Sequence, residues 1–473
     1  MRKVLTCLFA LWAIMSIAQN KQLLYGVEEV PQSLLLNPGG KISVTQKYHF
    51  GIPFFSQIHI NGGSSGVSVF DIFEDSGGDI NERIRKKIFE LKNTDFFTVT
   101  QQLEIIYFGW RAQNEIYFSG GIYQEFDFIS YFPRDLAILA WEGNRDYIDY
   151  EFDLGEISTT GDLMTVFHFG ANKQVTKKLI LGIRAKIYSS MISYRSTNNY
   201  GTFVTHLGDG TFNIYEHTVQ DIDMTVETSG FASLRELNGS SQVIGEILGR
   251  AFFGGNIGLG VDIGATYDIN DNFRASASFL DFGAIFHTKD VETYHVSGNY
   301  TLNGIELLFP PLNIGEPAPP YWDDLEDEIE REIPIDTLYN SYTQFRPLKV
   351  NASLSFNFGK IIGNNAECDC RNSNSGIDRD QSVGLQFYSI SRPKGAQIAG
   401  TLFYYRRFTD YISAKATYTI DSYSTTNLGL GFVTDLGKFN FYIAADNLLR
   451  YGNLAKAKSI SLQLGFNIKI DEK

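Results

Sequence analysis

Two cysteines in the carboxyl-terminal third of the chain are the first residues whose spacing suggests chemistry. Cys368 and Cys370 are separated by a single aspartate. Two thiolates supply half of a tetrahedral zinc site, and no histidine lies nearby to complete it. A disulfide between residues so close in sequence would be strained. The pattern therefore favours a polar loop that carries either a strained disulfide or free thiols over a metal site.

The remaining polar residues form no recognisable catalytic motif. Gly62–Gly66 is rich in glycine, but it leads into a strand and not into a helix, so it does not predict a phosphate-binding loop. No nucleophile elbow, zinc-protease motif or dinucleotide fingerprint occurs. The histidines do not recur at the spacing of one helix face; they are His49, His59, His168, His206, His217, His287 and His295. We predict a non-enzymatic protein with no catalytic, metal-binding or cofactor-binding residues, although a serine–histidine pair distant in sequence stays open.

The elements that would position any site belong to a large all-β protein. The chain has 473 residues, of which 14% are aromatic, with 44 glycines and only 12 prolines. Aromatic residues fit pleated sheets, and helical bundles do not have this composition. The net charge of −14 disfavours nucleic acid as a partner, because nucleic-acid-binding proteins carry clustered basic residues.

The first 18 residues are typical of an export signal. Arg2 and Lys3 precede an apolar stretch, and small residues at Ser16 and Ala18 predict cleavage before Gln19. Removing these two of the 40 basic residues leaves 38 against 54 acidic ones, a net charge of −16. No later stretch approaches the ~18–20 apolar residues of a spanning helix. The signal predicts an exported protein without a helical anchor.

Several segments alternate apolar and polar side chains with a period of two. In one of them Leu259, Val261 and Ile263 share a face, and glycine, aspartate and threonine occupy the other. Sandwich strands average roughly 5–6 residues, whereas a tilted membrane strand needs about 9–11. These segments are longer than sandwich strands; they cover residues 256–269, 350–358, 412–420 and 460–470. We predict a closed antiparallel transmembrane β-barrel of about 14 strands, within a range of about 12–16.

Alternation alone does not say which face points outward, and the turn pattern does not fix which inserts lie outside the cell. Two inserts are predicted to be short helices, near residues 79–92 and 321–333, the first capped by Asp79. The second carries acidic residues but lacks the spacing and glycine turn of a calcium loop. We expect it to be a solvated helix at the barrel rim.

Charged residues on the polar faces would line the lumen. Arg184 and Lys186 share a face with Lys178, and Asp262 shares one with Asp268. Such charges tune permeation in some barrels, but a solvated lumen also tolerates them, and the latter explanation is favoured. His168 lies on the polar side of its strand, which predicts a hydrogen-bonded residue that points into the lumen.

Short motifs along the mature chain resemble the fatty-acid-transporter-like superfamily of outer-membrane barrels. Ser33–Gly39, with its Leu-rich run followed by Asn-Pro-Gly, resembles the amino-terminal motif of that superfamily, although Gly39 stands where alanine is frequent. Ser278–Ile285, Val296–Gly304 and Phe441–Asn447 look like segments of barrels from gliding, type IX-secreting bacteria, relatives of PorV and PorP/SprF-type proteins. Phe286-His287 departs from the tryptophan expected near that strand end.

The resemblance implies a domain plan and two candidate functions. The plan is a signal peptide at 1–18, a segment at 19–40 at or in the periplasmic mouth, and a barrel over 41–473. The preferred function is an accessory or structural component of an envelope assembly or secretion machine in the bacterial outer membrane, with membrane lipid and other envelope proteins as partners. The alternative is a transporter of small hydrophobic molecules such as fatty acids. No cofactor is expected.

Overall fold

The computed structural model describes residues 21–42, 46–74, 79–112, 116–208, 214–235, 237, 239–302, 335–362 and 378–471. Strands dominate these ranges. In chain order they are β1 Gln46–Gly51, β2 Ile58–Ser64, β3 Phe96–Arg111, β4 Tyr117–Tyr131, β5 Phe152–Asp153, β6 Ser158–Gln174, β7 Leu179–Leu207, β8 Tyr215–Ser229, β9 Asn256–Asp268, β10 Phe273–His287, β11 Val291–Leu302, β12 Asp336–Leu338, β13 Tyr342–Phe345, β14 Lys349–Ile362, β15 Asp378–Ile390, β16 Gln397–Thr409, β17 Ile412–Asp421, β18 Asn427–Leu436, β19 Phe439–Ala445 and β20 Ser459–Asp471.

Helices are few and short. The α-helices are α1 Val69–Phe73, α2 Ile80–Glu90, α3 Arg134–Glu142, α4 Ala232–Arg235 and α5 Ser240–Gly249, and a π-helical turn follows at Arg250–Gly254. Short 3₁₀ turns occur at Lys21–Leu24, Pro31–Leu35, Leu154–Glu156, Leu448–Arg450 and Leu454–Lys456. No helix in the described ranges is long and apolar enough to cross a membrane.

The sheet closes into an antiparallel barrel of 14 strands, which confirms the predicted fold. The wall follows the order β1/β2, β3, β4, β6, β7, β9, β10, β13/β14 and then β15 to β20. The last strand, β20, pairs back with β1 and β2, so no strand edge of the wall is left unpaired. A closed wall satisfies the backbone hydrogen bonds that lipid cannot satisfy.

The alternating faces are inverted relative to a water-soluble protein. On β9 the side chain of Leu259 is 59% exposed, whereas that of Asp262 is fully buried. On β20 the outward Phe466 is exposed, and the inward Asn467 and Lys469 are buried. Apolar side chains therefore form the outer surface and polar ones fill the interior, as expected for a barrel whose solvent is lipid.

The first wall strand is interrupted by a bulge at residues 52–57. Ile52 N–H donates to the carbonyl of Phe466 (3.1 Å) on one side, and Phe54 N–H donates to that of Ile105 (3.3 Å) on the other. Phe54 lies in the left-handed region at φ 63°, and its ring is exposed on the outer surface. Hydrogen bonds therefore continue around the bulge, and the wall stays closed there.

The two ends of the barrel differ in loop length. Short turns join β6 to β7, β9 to β10, β16 to β17 and β18 to β19 at one end, where β20 also ends. Long loops leave the other end, and there β7 continues past the wall to pair with β8, which in turn pairs with β11. We call these the short-turn end and the long-loop end, and we call the extension of β7 with β8, β11 and β12 the projecting sheet.

The structure describes one of the two predicted helical inserts. The insert near 79–92 contains α2 at Ile80–Glu90, and Asp79 caps it by accepting a hydrogen bond from Asn81 N–H (2.9 Å). The insert near 321–333 and the pair Cys368 and Cys370 lie outside the described residues, as does the signal segment 1–18.

Candidate functional site in the barrel lumen

An amino-terminal segment, residues 21–42, fills the half of the lumen nearest the short-turn end, and we call it the plug. Its two 3₁₀ turns are rich in leucine, and Leu24, Val30 and Leu34 are almost completely buried. Leu24 and Val30 pack with Tyr442 of the wall. A barrel of this width has more interior than its own side chains fill, so an apolar segment gains burial by folding into it.

The Asn37-Pro38-Gly39 motif docks into a notch formed by two wall glycines. Gly182 on β7 and Gly264 on β9 lie directly opposite each other in the sheet. A Cβ atom on Gly182 would lie 2.5 Å from Gly39 N, and one on Gly264 would lie 2.9 Å from the same atom, closer than real Cβ contacts. The notch therefore exists only because neither position carries a side chain.

Hydrogen bonds hold the motif in this notch. The Asn172 amide nitrogen donates to the carbonyls of Pro38 (2.7 Å) and Gly40 (2.8 Å). The Asn37 amide nitrogen donates to Ala265 O (3.3 Å), and its oxygen accepts from Gly39 N–H (2.9 Å). A Cβ on Gly39 would lie 2.7 Å from Ala265 N, so the notch requires glycine at this position as well.

Charged residues tie the plug to the short-turn end. Arg274 pairs with Glu28 (2.6 Å) and with the wall residue Asp268 (2.6 Å). The Lys469 ammonium donates to the carbonyl of Glu29 (3.0 Å), and Tyr405 donates to its carboxylate. Burial raises the pKa of the Glu28 carboxyl, although the nearby charges of Lys41 and Arg274 oppose the shift.

A buried ion-pair network lies next to the plug. Arg184 and Lys186, predicted to face the lumen, are both buried and both approach Asp262, at 3.4 and 2.9 Å. Arg184 also donates to the plug carbonyl Leu34 O (2.8 Å). The network balances four cations against four carboxylates: Arg184, Lys186, Arg346 and Lys349 with Glu125, Asp162, Asp262 and Asp281. Arg392 and Asp127 form a separate buried pair (2.6 Å). These charges are paired rather than solvated, which corrects the expectation of a water-filled lining.

Asp281 is the centre of this network and was missed in the sequence. It accepts from Lys186 (2.6 Å) and Lys349 (2.7 Å) at its two oxygens. A bulge between Phe279 and Phe282, with Asp281 at φ 61°, breaks the alternation and turns both Leu280 and Asp281 inward. Because Phe279-Leu280-Asp281-Phe282 contains two apolar residues in succession, the period of two gives no signal for a lumen carboxylate here.

A cavity of about 140 Å³ lies between the plug and the long-loop end. That volume is roughly ten times the roughly 10–15 Å³ that one water molecule needs. Its apolar lining comes from both the plug and the wall: Leu35, Leu36, Tyr123, Leu280, Ile390 and Ala399. Lys349 and Asp281 of the ion-pair network, and Arg392 of the separate pair, reach its polar side. The lining is therefore mixed: these apolar side chains lie beside a larger number of polar and charged ones, which include Glu125, Asp127 and Asp421.

A family model described as a family of unknown function, DUF5723, matches residues 42–446 of the chain. The chain belongs to this family. No curated protein matches the sequence. The match begins just after the Asn37–Gly39 motif and ends before β20, so the family model covers β1 to β19 and leaves out most of the plug and the last wall strand.

Solved structures similar to this DUF5723 protein include transporters of small molecules. The Ralstonia pickettii toluene transporter TbuX has 11% identity and a TM-score of 0.40, over 93% of this chain and 94% of that chain. The monoaromatic hydrocarbon channel CymD has 10% identity and a TM-score of 0.39, over 97% of this chain and 95% of that chain. A Pseudomonas aeruginosa FadL homologue has 9% identity and a TM-score of 0.39, over 96% of this chain and 97% of that chain. Identities and TM-scores this low are insufficient to transfer a function.

The histidines of the DUF5723 barrel take structural positions. His168 points into the lumen between the rings of Tyr107 and Tyr123, at 5.7 and 5.6 Å. The predicted direction is confirmed, and neither ring nitrogen has a hydrogen-bond partner among the described residues. His59 lines the cavity.

One serine–histidine contact bears on the open question of catalysis. Ser229 Oγ lies 2.7 Å from His287 Nδ1, and His287 Nε2 lies 3.0 Å from Gln344 Oε1. All three side chains are buried, at no more than 2% exposure, and the cavity described above does not include them. A nucleophile has to reach its substrate, so this contact serves to join β8, β10 and β13.

Proposed function

We propose that this DUF5723 barrel lies in the bacterial outer membrane and conducts small hydrophobic molecules. The observation that carries the proposal is the cavity between the plug and the long-loop end, because an internal space with apolar side chains in its lining is what such a molecule requires. In outer-membrane barrels short turns face the periplasm and long loops face the exterior. The cavity then opens toward the outside, and the plug closes the periplasmic half.

The plug supports a conduit over a purely structural barrel. Its apolar turns cover the floor of the cavity through Leu35 and Leu36, and the Asn37–Gly39 motif holds it by backbone and amide contacts rather than by covalent links. Protein interiors are close-packed, and an internal cavity lowers the stability of the fold. A barrel that served only as a scaffold would gain stability by filling this cavity with side chains, and here the side chains leave it unfilled above a segment that is not part of the wall.

The accessory role in an envelope machine stays a prediction. It implies a second chain bound to the barrel, and pull-down of the tagged protein from mild detergent with a stoichiometric partner would support it. The lumen geometry instead supports the alternative stated from the sequence, transport of small hydrophobic molecules.

Uptake by whole cells tests the proposal, with one variant that fills the cavity. Ala399 on β16 is buried and lines the cavity, whereas Leu402 on the same strand is 51% exposed on the lipid-facing side. The protein is expressed in a Gram-negative host that lacks its own fatty-acid uptake, and radiolabelled decanoate and toluene are supplied. We expect uptake above an empty-vector control, reduced toward that control by Ala399→Phe and unchanged by Leu402→Phe.

Two outcomes would contradict the proposal. Uptake equal to the empty-vector control, from a barrel that migrates as folded on unheated gels, would leave the accessory role as the better hypothesis. Uptake that Ala399→Phe and Leu402→Phe affect equally would show that the molecules do not pass through this cavity.

A further inference from the structure

Helix α5 and the π turn after it present apolar side chains away from the protein. Ile244 and Leu248 of α5 are 52% and 57% exposed, and their spacing of four residues places them in one stripe. Phe252 follows in the π turn, where its backbone is not helical, and is 59% exposed. The opposite side of α5 packs on the protein through the buried Val243. An exposed apolar stripe of this kind marks a contact surface for a membrane or for a partner protein.

The outward stripe is continuous with the lipid-facing wall. Phe253 stacks on Phe167 of β6 with ring centroids 4.4 Å apart and planes at 18°, and Phe252 meets the same ring edge-on at 6.1 Å. Phe167 lies opposite Ile187 in the β6–β7 ladder, and Ile187 is itself exposed on the outer surface. The stripe therefore borders the surface that the barrel presents to acyl chains.

The backbone fixes the two phenylalanines in this position. Phe253 adopts φ 66°, a left-handed conformation that a bulky residue takes only when its surroundings impose it. Its N–H donates to Ser189 Oγ (3.1 Å), whose hydroxyl donates in turn to Arg250 O (2.8 Å). These contacts direct the aromatic pair onto the wall instead of into the protein interior.

Arg250 connects the same turn to the projecting sheet. Its guanidinium donates to the carbonyls of Gly230 (2.6 Å) and Met191 (3.2 Å) and pairs with Asp290 (3.2 Å). Gly230 directly follows β8, and Asp290 directly precedes β11. Any surface that holds the turn in place therefore also holds the base of the projecting sheet.

We propose that α5 and Phe252–Phe253 form a lipid-inserted anchor that contacts acyl chains of the outer leaflet and fixes the angle of the projecting sheet to the membrane. Amphipathic helices that lie in a membrane interface bury a stripe of this kind among acyl chains. The proposal rests on the transmembrane barrel and its orientation, and it is independent of what passes through the lumen. A protein partner on the same stripe is the competing occupant.

Spin-label accessibility in proteoliposomes of phosphatidylethanolamine and phosphatidylglycerol tests the anchor. Single-cysteine variants at Leu248 and Phe252 are made in a chain whose own cysteines are replaced by serine, with Ile183 as a wall reference and Gln242 as a polar control on α5. Ile183 is 55% exposed on the outer wall, and Gln242 is exposed on the helix. We expect labels at Leu248 and Phe252 to match Ile183, with high collision rates for oxygen and loss of collisions with a polar nickel chelate.

The matched positions make each result decisive. Labels at Leu248 and Phe252 that collide with the nickel chelate as often as the label at Gln242 does would overturn the anchor and point to a protein partner. A variant that fails to fold is recognised by its migration on unheated gels, and the other labelled position then decides. Uptake through the lumen is measured separately, so failure of the channel proposal would leave this result unchanged.

Discussion

Adding methyl groups in the glycine notch should release the plug. The double variant Gly182→Ala/Gly264→Ala places two Cβ atoms where the Asn37-Pro38-Gly39 backbone now lies. The wall cannot move away, because both glycines belong to the paired ladder between β7 and β9. The plug backbone has to move instead, since it is not part of that ladder.

The magnitude follows from the bonds that break when the motif leaves the notch. Asn172 loses its two bonds to the plug carbonyls, and Asn37 loses its bond to the wall carbonyl of Ala265. At about 0.5–1.5 kcal/mol net for each bond, the three amount to about 1.5–4.5 kcal/mol. Because each 1.4 kcal/mol is a factor of about ten, the displaced plug should become roughly ten to a thousand times more populated.

Single-channel conductance in planar bilayers measures this change directly. We expect wild-type protein to stay closed for most of the record, and the double variant to open far more often with a larger mean current. Gly400→Ala is the matched control, because a Cβ on Gly400 of β16 meets nothing within 4 Å. If the double variant, folded by its mobility on unheated gels, conducts no more than wild type and Gly400→Ala, the plug is not what closes the lumen.

Two further variants test the lumen network and an outer helix. Lys186→Met leaves Asp262 and Asp281 each without one buried cation. Urea titration in lipid vesicles should therefore show a free energy of unfolding lower by about 3–5 kcal/mol. The control Lys177→Met, in an exposed turn, should leave the free energy of unfolding unchanged. At α1, burial acts to raise the pKa of the Asp71 carboxyl, but hydrogen bonds from Ser68 and the charge of Lys87 outweigh it and lower that pKa. The contribution of Asp71 to capping α1 is then complete at neutral pH and disappears as pH falls through the lowered pKa. Amide exchange in residues 69–73, corrected for the intrinsic rate, should therefore accelerate in acid. Ser68→Ala should abolish that pH dependence.

The strands were predictable because lipid imposes the same two-residue rhythm on the outer face of every wall strand. Leu259, Val261 and Ile263 on β9 show it without interruption, and the structure exposes all three. The up-and-down order was not predictable, because the first wall strand is split at residues 52–57 and because β8, β11 and β12 lie outside the wall. A strand that pairs beyond the membrane has the same local pattern as one within it, and only pairing distinguishes them.

The lumen site was predictable only where its residues fall on regular strands. Arg184, Lys186 and Asp262 do, so their common orientation follows from alternation. Asp281 enters the lumen through a bulge, and Arg346 lies in the short connection between β13 and β14, where no period applies. Both residues reach partners far away in sequence, Arg346 pairing with Glu125 at 2.8 Å, and a single sequence holds no record of such pairing.

The plug motif shows how a resemblance acquires a physical explanation. As a sequence, Asn37-Pro38-Gly39 is short and only resembles a superfamily signature. In the structure each of its three residues contributes to the contact with the wall. Pro38 and Gly39 bring backbone into the notch, and Asn37 uses its amide to bond the strand beside it. The motif and the glycines at 182 and 264 therefore act together, although they lie in three different segments of the chain. A side chain added at either wall position should release the plug, as loss of the motif itself would. Equal conductance of Gly182→Ala/Gly264→Ala and a chain lacking residues 19–40 would establish that the notch is what retains the plug.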